Sequence, residues 1–237
     1  MGPRIALTTT GHVLAQGVGD GVVRLWQTET RLSTDIKLGE GRIDVVALSP
    51  DATILITGGP NWALHWWELS DVPRERKVSL DGRAQFSPDG KTLAAFQRNG
   101  IQLWDVGRVT LRTNLLMETG PGFNFAFSQD GDLLATSEGF GDTEYAIRVW
   151  ETRTGKLTSM FSGHKQSIVS LAFSPDGKTL ASSSDDSTLK FWNITTQQEL
   201  LNIRRLGGPV RGLMFSPDGQ LLVGRSLGAL CFFHAPL

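Results

Sequence analysis

The chain has 237 residues, of which 40% are hydrophobic, 27 are glycine and 10 are proline, enough for a large domain with a buried core and many tight turns. Its 23 Lys and Arg stand against 24 Asp and Glu, a balance that gives no electrostatic basis for nucleic acid or an anionic membrane as the main partner. A single cysteine, Cys231, excludes an internal disulfide framework and fits a reducing, cytoplasmic setting, while no apolar run approaches the roughly 18 residues needed to span a bilayer.

In chain order, one turn keeps returning. It is weak at Thr8-Thr9-Thr10-Gly11 and clearer at Ser49-Pro50-Asp51-Ala52. It is complete as Ser87-Pro88-Asp89-Gly90, varied at Ser128-Gln129-Asp130-Gly131, and complete again at Ser174-Pro175-Asp176-Gly177 and Ser216-Pro217-Asp218-Gly219. The fourth residues are separated by 41, 38, 41, 46 and 42 positions. After each turn comes an apolar–any–apolar–aromatic run: Val23-Arg24-Leu25-Trp26, Leu64-His65-Trp66-Trp67, Ile101-Gln102-Leu103-Trp104, Ile147-Arg148-Val149-Trp150, Leu189-Lys190-Phe191-Trp192 and Leu230-Cys231-Phe232-Phe233. β-Branched and aromatic residues in such runs predict strands. The fifth unit parses as strands at 168–173, 180–183, 189–192 and 200–204, with turns at 174–177 and Asp185-Asp186; Asn99-Gly100 is a hairpin turn in the third. No segment has a helical period.

A period near 40 residues is the signature of propeller blades. The expected fold is all-β, a β-propeller of about six four-stranded blades at approximately 3–40, 41–81, 82–120, 121–165, 166–207 and 208–237. The sixth unit has no candidate for its outer strand. The expectation is a section of a longer repeat protein, in preference to a complete chain with one three-stranded blade; either way Leu230, Cys231, Phe232 and Phe233 form an open edge for a partner segment or a second copy.

Gly163-His164, Asp186 and Trp192-Asn193 complete the pattern best; Trp104-Asp105 is the literal Trp-Asp pair, and Asp20 with Trp26 and Asn61 with Trp67 keep parts of it. In these residues the chain resembles the WD-repeat propellers along nearly its whole length, in a style similar to bacterial members. The resemblance implies a hydrogen-bonded tetrad of His164, Ser182, Asp186 and Trp192, with Ser184 as the less favoured serine. Buried polar groups left unpaired cost about 1–3 kcal/mol each, so a His between Asp and Ser is satisfied at both ring nitrogens. It also implies a non-catalytic scaffold with protein partners. By alignment with the family, Lys165, Gln166 and Asp185 in blade five, Arg42 in blade two and Arg211 in blade six are candidates for the partner-binding face, against a reading as ordinary solvated surface.

Other chemistry fits less well. His164, Ser182 and Asp186 also have the composition of a hydrolase triad, but no oxyanion hole is suggested. Gly224-Arg225-Ser226-Leu227-Gly228 matches a nucleophile elbow, yet a strand rather than a helix follows, and no acid separates Ser226 from His234. The four histidines share no metal-ligand spacing, and Gly17-Val18-Gly19-Asp20-Gly21 precedes no helix that would receive a phosphate, so neither metal nor cofactor is expected. Five tryptophans at the closing position are expected to pack between blades. Trp62, in a turn of blade two, reads either as a binding anchor or as packing on the neighbouring blade. The loop 138–145 of blade four is longer than its counterpart in blade five and carries Phe140 and Tyr145; it reads equally as a recognition loop or a tolerated insertion. Alternative functions are a propeller-framed hydrolase, a peptidase-associated regulatory domain, or a structural section of a larger signalling protein.

Overall fold

The structure is a computed structural model describing residues 5–8, 10–39, 41–61, 63–97, 100–116, 121–139, 145–204 and 206–234. Among these residues there is no helix; the chain runs as 23 strands in six antiparallel sheets. The first sheet joins β1 (Ile5–Leu7), β2 (Val13–Gly19), β3 (Val22–Gln27) and β4 (Ser33–Lys37). The second joins β5 (Val45–Leu48), β6 (Ile54–Gly58), β7 (Ala63–Glu68) and β8 (Arg74–Asp81). The third contains β9 (Ala84–Phe86), β10 (Thr92–Gln97), β11 (Gly100–Asp105) and β12 (Thr110–Leu116). The fourth contains β13 (Pro121–Phe127), β14 (Leu133–Glu138), β15 (Tyr145–Glu151) and β16 (Leu157–His164). The fifth contains β17 (Ile168–Phe173), β18 (Thr179–Ser184), β19 (Leu189–Asn193) and β20 (Glu199–Ile203). The sixth has three strands among the described residues: β21 (Arg211–Phe215), β22 (Leu221–Ser226) and β23 (Ala229–His234). In every sheet the strands neighbour one another in chain order, the meander of a propeller blade.

The Ser-Pro-Asp-Gly turns are held by their own side chains. In the fifth sheet Ser174 Oγ donates to Asp176 Oδ1 (2.6 Å) and accepts from the Thr179 N–H (3.0 Å), while Asp176 Oδ1 accepts from the Lys178 N–H (3.1 Å). Gly177 sits at φ +70°, left-handed space that costs glycine nothing. The same serine–aspartate pair recurs at Ser49–Asp51, Ser87–Asp89, Ser128–Asp130 and Ser216–Asp218. The Ser174 hydroxyl and the Lys178 N–H hold the Asp176 carboxyl below the usual carboxylate range. Each turn is closed by bonds within five residues, so it sets the register of the following strand pair locally.

The chain packs as two compact units, Met1–Gln97 with Ile101–Arg112, and Arg98–Gly100 with Thr113–Leu237. In each, the core lies between successive sheets. In the first unit, one cluster gathers Val13, Val23, Val46 and Leu55 from the first two sheets, and another gathers Trp66, Leu80, Phe86 and Leu93 from the second and third. In the second unit, Ile147, Phe161, Leu171 and Trp192 join the fourth and fifth sheets, and Phe191, Val210, Leu213 and Leu222 join the fifth and sixth. A sheet with a neighbour on both sides must be apolar on both faces, which is why β17 is buried at every position.

The closing tryptophans divide. Trp104, Trp150 and Trp192 are buried, but Trp26 and Trp67 are only half-buried, contrary to the expectation that all five pack fully between blades. The fully buried indole of the second sheet is Trp66, one residue earlier, edge-on to Phe86. The reason is strand alternation: Trp66 and Trp67 point to opposite faces, and the face toward the third sheet is the better covered.

Candidate functional site

The tetrad residues stand at a junction of two sheets rather than inside one. His164 ends β16, the outer strand of the fourth sheet; Ser182 lies on β18, Asp186 in the β18–β19 turn and Trp192 on β19, all in the fifth. Trp192 Nε1–H donates to Ser182 Oγ (2.8 Å). Ser182 therefore uses its own hydrogen toward His164 Nε2 (2.8 Å), leaving His164 Nδ1–H to face Asp186 Oδ2 (3.1 Å) and Thr188 Oγ1 (3.1 Å). Asp186 accepts also from the Thr188 hydroxyl (2.6 Å) and the Lys165 N–H (2.8 Å). Burial pushes the His164 imidazole below its usual value, outweighing the Asp186 carboxylate, so the ring is neutral. Burial works against the charge of Asp186 as well, but the Thr188 hydroxyl, the Lys165 N–H and His164 hold its carboxyl below the usual range.

As a catalytic constellation this arrangement is spent. Ser182 is wholly buried and its oxygen accepts from the Trp192 indole N–H, which closes the hydroxyl to a substrate. Ser226, the elbow serine, closes β22 and is followed by a Leu227-Gly228 turn in left-handed space and then by β23, with no helix. The chemistry available here is structural: a polar clasp whose groups satisfy one another in a low-dielectric junction.

A second repeated feature was not read from the sequence. In four of the five runs the residue two before the closing tryptophan contacts the indole. Lys190 lies 5.3 Å from the Trp192 ring and Arg24 lies 5.8 Å from the Trp26 ring, while His65 stacks on Trp67 at 6.3 Å and Gln102 accepts from Trp104 Nε1 (3.0 Å). Three of these residues are paired with an acid on the next strand: Arg24 with Asp35 (2.6 Å), His65 with Glu75 (2.7 Å) and Lys190 with Glu199. The signal was available as a polar residue at the "any" position of five of the six runs.

Of the candidate partner-binding residues, four converge. Lys165, Gln166, Asp185 and Arg211 are exposed; Arg211 Nη2 reaches Asp185 Oδ1 (3.2 Å), and the Gln166 carbonyl accepts from Ser184 Oγ (2.9 Å). Lys165 adjoins the tetrad through its backbone, so this polar group sits directly over the clasp. Arg42 is in the first unit, paired with Asp44 (2.7 Å). Tyr145 begins β15 opposite His164 in register and is half-buried. Trp62 and Phe140 lie outside the described residues, as does most of the loop 138–145.

The expected open edge is equally a face. Met214, Val223 and Phe232 align across β21, β22 and β23, and Arg211, Arg225 and Leu230 form a second row. Met214, Leu230 and Phe232 are 66%, 66% and 63% exposed, whereas Leu213, Leu222 and Phe233 turn inward to the fifth sheet. Met214 escaped the sequence reading because it lies on the strand buried in other sheets.

Comparison with known proteins agrees with this architecture. The family model described as WD domain, G-beta repeat matches residues 155–193, which hold His164, Ser182, Asp186 and Trp192. The periodic tryptophan protein 2 homolog of Dictyostelium discoideum is 28% identical over 92% of the chain and 24% of its own length. The WD repeat and SOCS box-containing protein 1 of Takifugu rubripes is 29% identical over 65% of the chain and 36% of its own length. The chain thus spans about a quarter to a third of these relatives. A chain of the mitotic checkpoint complex crystal structure superposes with a TM-score of 0.76, over 98% of this chain and 73% of that one at 20% identity, and so shares the fold.

Proposed function

We propose that this WD-repeat β-propeller is a non-catalytic cytoplasmic scaffold for protein partners, and that the outer face of its sixth sheet is a docking surface. WD-repeat propellers generally serve as protein-interaction scaffolds. The observation that carries the docking reading is the row Met214–Val223–Phe232 with Leu230 beside it: a contiguous apolar surface on a sheet whose neighbour, the fifth, is covered on both faces. Arg211 and Arg225 border it, the apolar centre and polar rim of a protein contact. The exposed group Lys165, Gln166, Asp185 and Arg211 extends that rim toward the tetrad.

Molar mass by light scattering across a concentration series tests the face. The parent chain is expected to associate with rising concentration, and the Phe232→Lys variant to remain at the monomer mass with unchanged stability. Equal masses for both at every concentration would remove the sixth sheet as a contact surface.

A further inference from the structure

The junction of the first two sheets repeats the frame of the tetrad without its histidine. Val46 pairs with Thr57 as Leu171 pairs with Ser182, and Gly39 precedes Val46 by the seven positions that separate His164 from Leu171. Counting from the other side agrees: Gly39 follows Lys37 on β4 as His164 follows Ser162 on β16, each by two. Asn61 stands four after Thr57 as Asp186 stands four after Ser182, and Trp67 pairs with Leu55 as Trp192 pairs with Leu180. The four positions His, Ser, Asp and Trp are here Gly39, Thr57, Asn61 and Trp67.

What remains of the network is intact. Trp67 Nε1–H donates to Thr57 Oγ1 at 2.9 Å, the counterpart of the 2.8 Å bond in the complete tetrad. Where the His164 ring stands against the fifth sheet, the second has a cleft of about 430 Å³, lined by Gly39, Thr57, Asn61, Trp67, His65 and Arg42 among others. A Cβ on Gly39 would meet nothing within 4 Å, so the space is open where a side chain would begin. Thr57 is buried, and its oxygen already accepts from the indole, leaving its own hydrogen to donate into the cleft. Asn61, exposed at the mouth, offers a carbonyl oxygen. Two polar groups of the walls already have partners: His65 Nδ1 meets Glu75 at 2.7 Å and Arg42 meets Asp44 at 2.7 Å.

We propose that this cleft binds a neutral imidazole group from outside the chain, one ring nitrogen accepting from the Thr57 hydroxyl and the other donating to the Asn61 carbonyl, with the ring over Gly39 and beside Trp67. The guest restores the network that His164 completes internally at the other junction. Such a group comes either as a free small heterocycle or as the histidine side chain of a partner segment.

The indole N–H signals of the full chain in a nitrogen–proton correlation spectrum read this out. The Trp67 and Trp192 signals are assigned by their loss in Trp67→Phe and Trp192→Phe. Titration with imidazole is expected to move the Trp67 signal saturably and leave that of Trp192 in place. Acetyl-histidine amide then separates the sources: the same movement points to a side chain, and movement with imidazole alone to a free heterocycle. Thr57→Val keeps the volume and removes the donor, and should weaken imidazole binding about tenfold; Asn61→Ala, at the exposed mouth, serves the same purpose if Thr57→Val loses the Trp192 signal and with it the fold. A Trp67 signal that imidazole does not move, or a folded donor-deficient variant that binds as tightly as the parent, overturns the proposal.

Discussion

Two junctions of this molecule share one register and differ most in one imidazole ring. Between the fourth and fifth sheets, His164 links Ser182 to Asp186, and Trp192 is buried beneath Lys190. Between the first and second, Gly39 replaces the histidine, Trp67 is only half-buried, and a cleft takes the place of the ring. Both junctions nevertheless carry the same strand pairing and the same indole-to-hydroxyl bond. The frame of a blade therefore does not need the tetrad. Register is set by the Ser-Asp turn and by apolar alternation, and the histidine adds polar satisfaction at a junction already formed.

The largest test of that difference is truncation of the two indoles. Trp192→Ala should cost about 3–5 kcal/mol, the usual penalty for emptying a buried tryptophan site. Trp67→Ala, at a half-exposed indole beside an existing cleft, should cost less than half as much, about 1–2 kcal/mol. Denaturant midpoints for the two variants decide it, and equal losses would mean the junctions are energetically alike.

Next comes the ring itself. His164→Ala strips Ser182 and Asp186 of a partner inside a buried junction and should lower stability by about 1–3 kcal/mol. It also creates in the second unit the vacancy that the first already has, so imidazole should raise the melting temperature of this variant more than that of the parent. A thermal scan with and without imidazole measures both effects.

The tetrad should also leave a mark on the pH dependence of stability. The folded His164 has a pKa lowered from the model-compound value of 6.5, so the unfolded chain binds more protons as pH falls below that value. Its contribution is complete above pH 6.5 and is lost as pH drops from there toward the folded value. Asp186, lowered from 3.8, contributes in the same direction, but its share is lost only below about that pH. Denaturation at pH 7.5 and 5.5 should show the parent weakening more than His164→Gln; parallel losses would place the dependence elsewhere.

The smallest expected effect lies in the turns. Ala52 occupies the place of Gly177 and is held at φ +58°. Ala52→Gly should stabilise the second sheet by less than about 1 kcal/mol, whereas Gly177→Ala should destabilise the fifth by a similar amount. Paired melting curves would show whether the two turns are equivalent.

Much of this was legible in the sequence because it rests on local periodicities. Recurrent Ser-Pro-Asp-Gly turns and runs ending in tryptophan are set by φ preferences and strand alternation within a few residues, so repeat spacing and the all-β propeller follow from the chain alone. The tetrad residues were named through the resemblance to the WD-repeat propellers, which assigned them roles that local periodicity does not supply. Other features depend on what lies across a junction. That Trp66 rather than Trp67 fills the core follows from which face of β7 meets the third sheet. Met214 joins an exposed apolar row because it lies on the face of the sixth sheet opposite Leu213, Leu222 and Phe233, which pack on the fifth, a relation that strand periodicity cannot express. The Gly39 cleft requires two sheets in register before the missing ring becomes a space. Sequence by itself determined the repeating unit, since turn chemistry and side-chain alternation act within one blade; tertiary structure alone decided which faces are covered and which junction is left unfilled, since burial belongs to neighbouring sheets and not to any one segment.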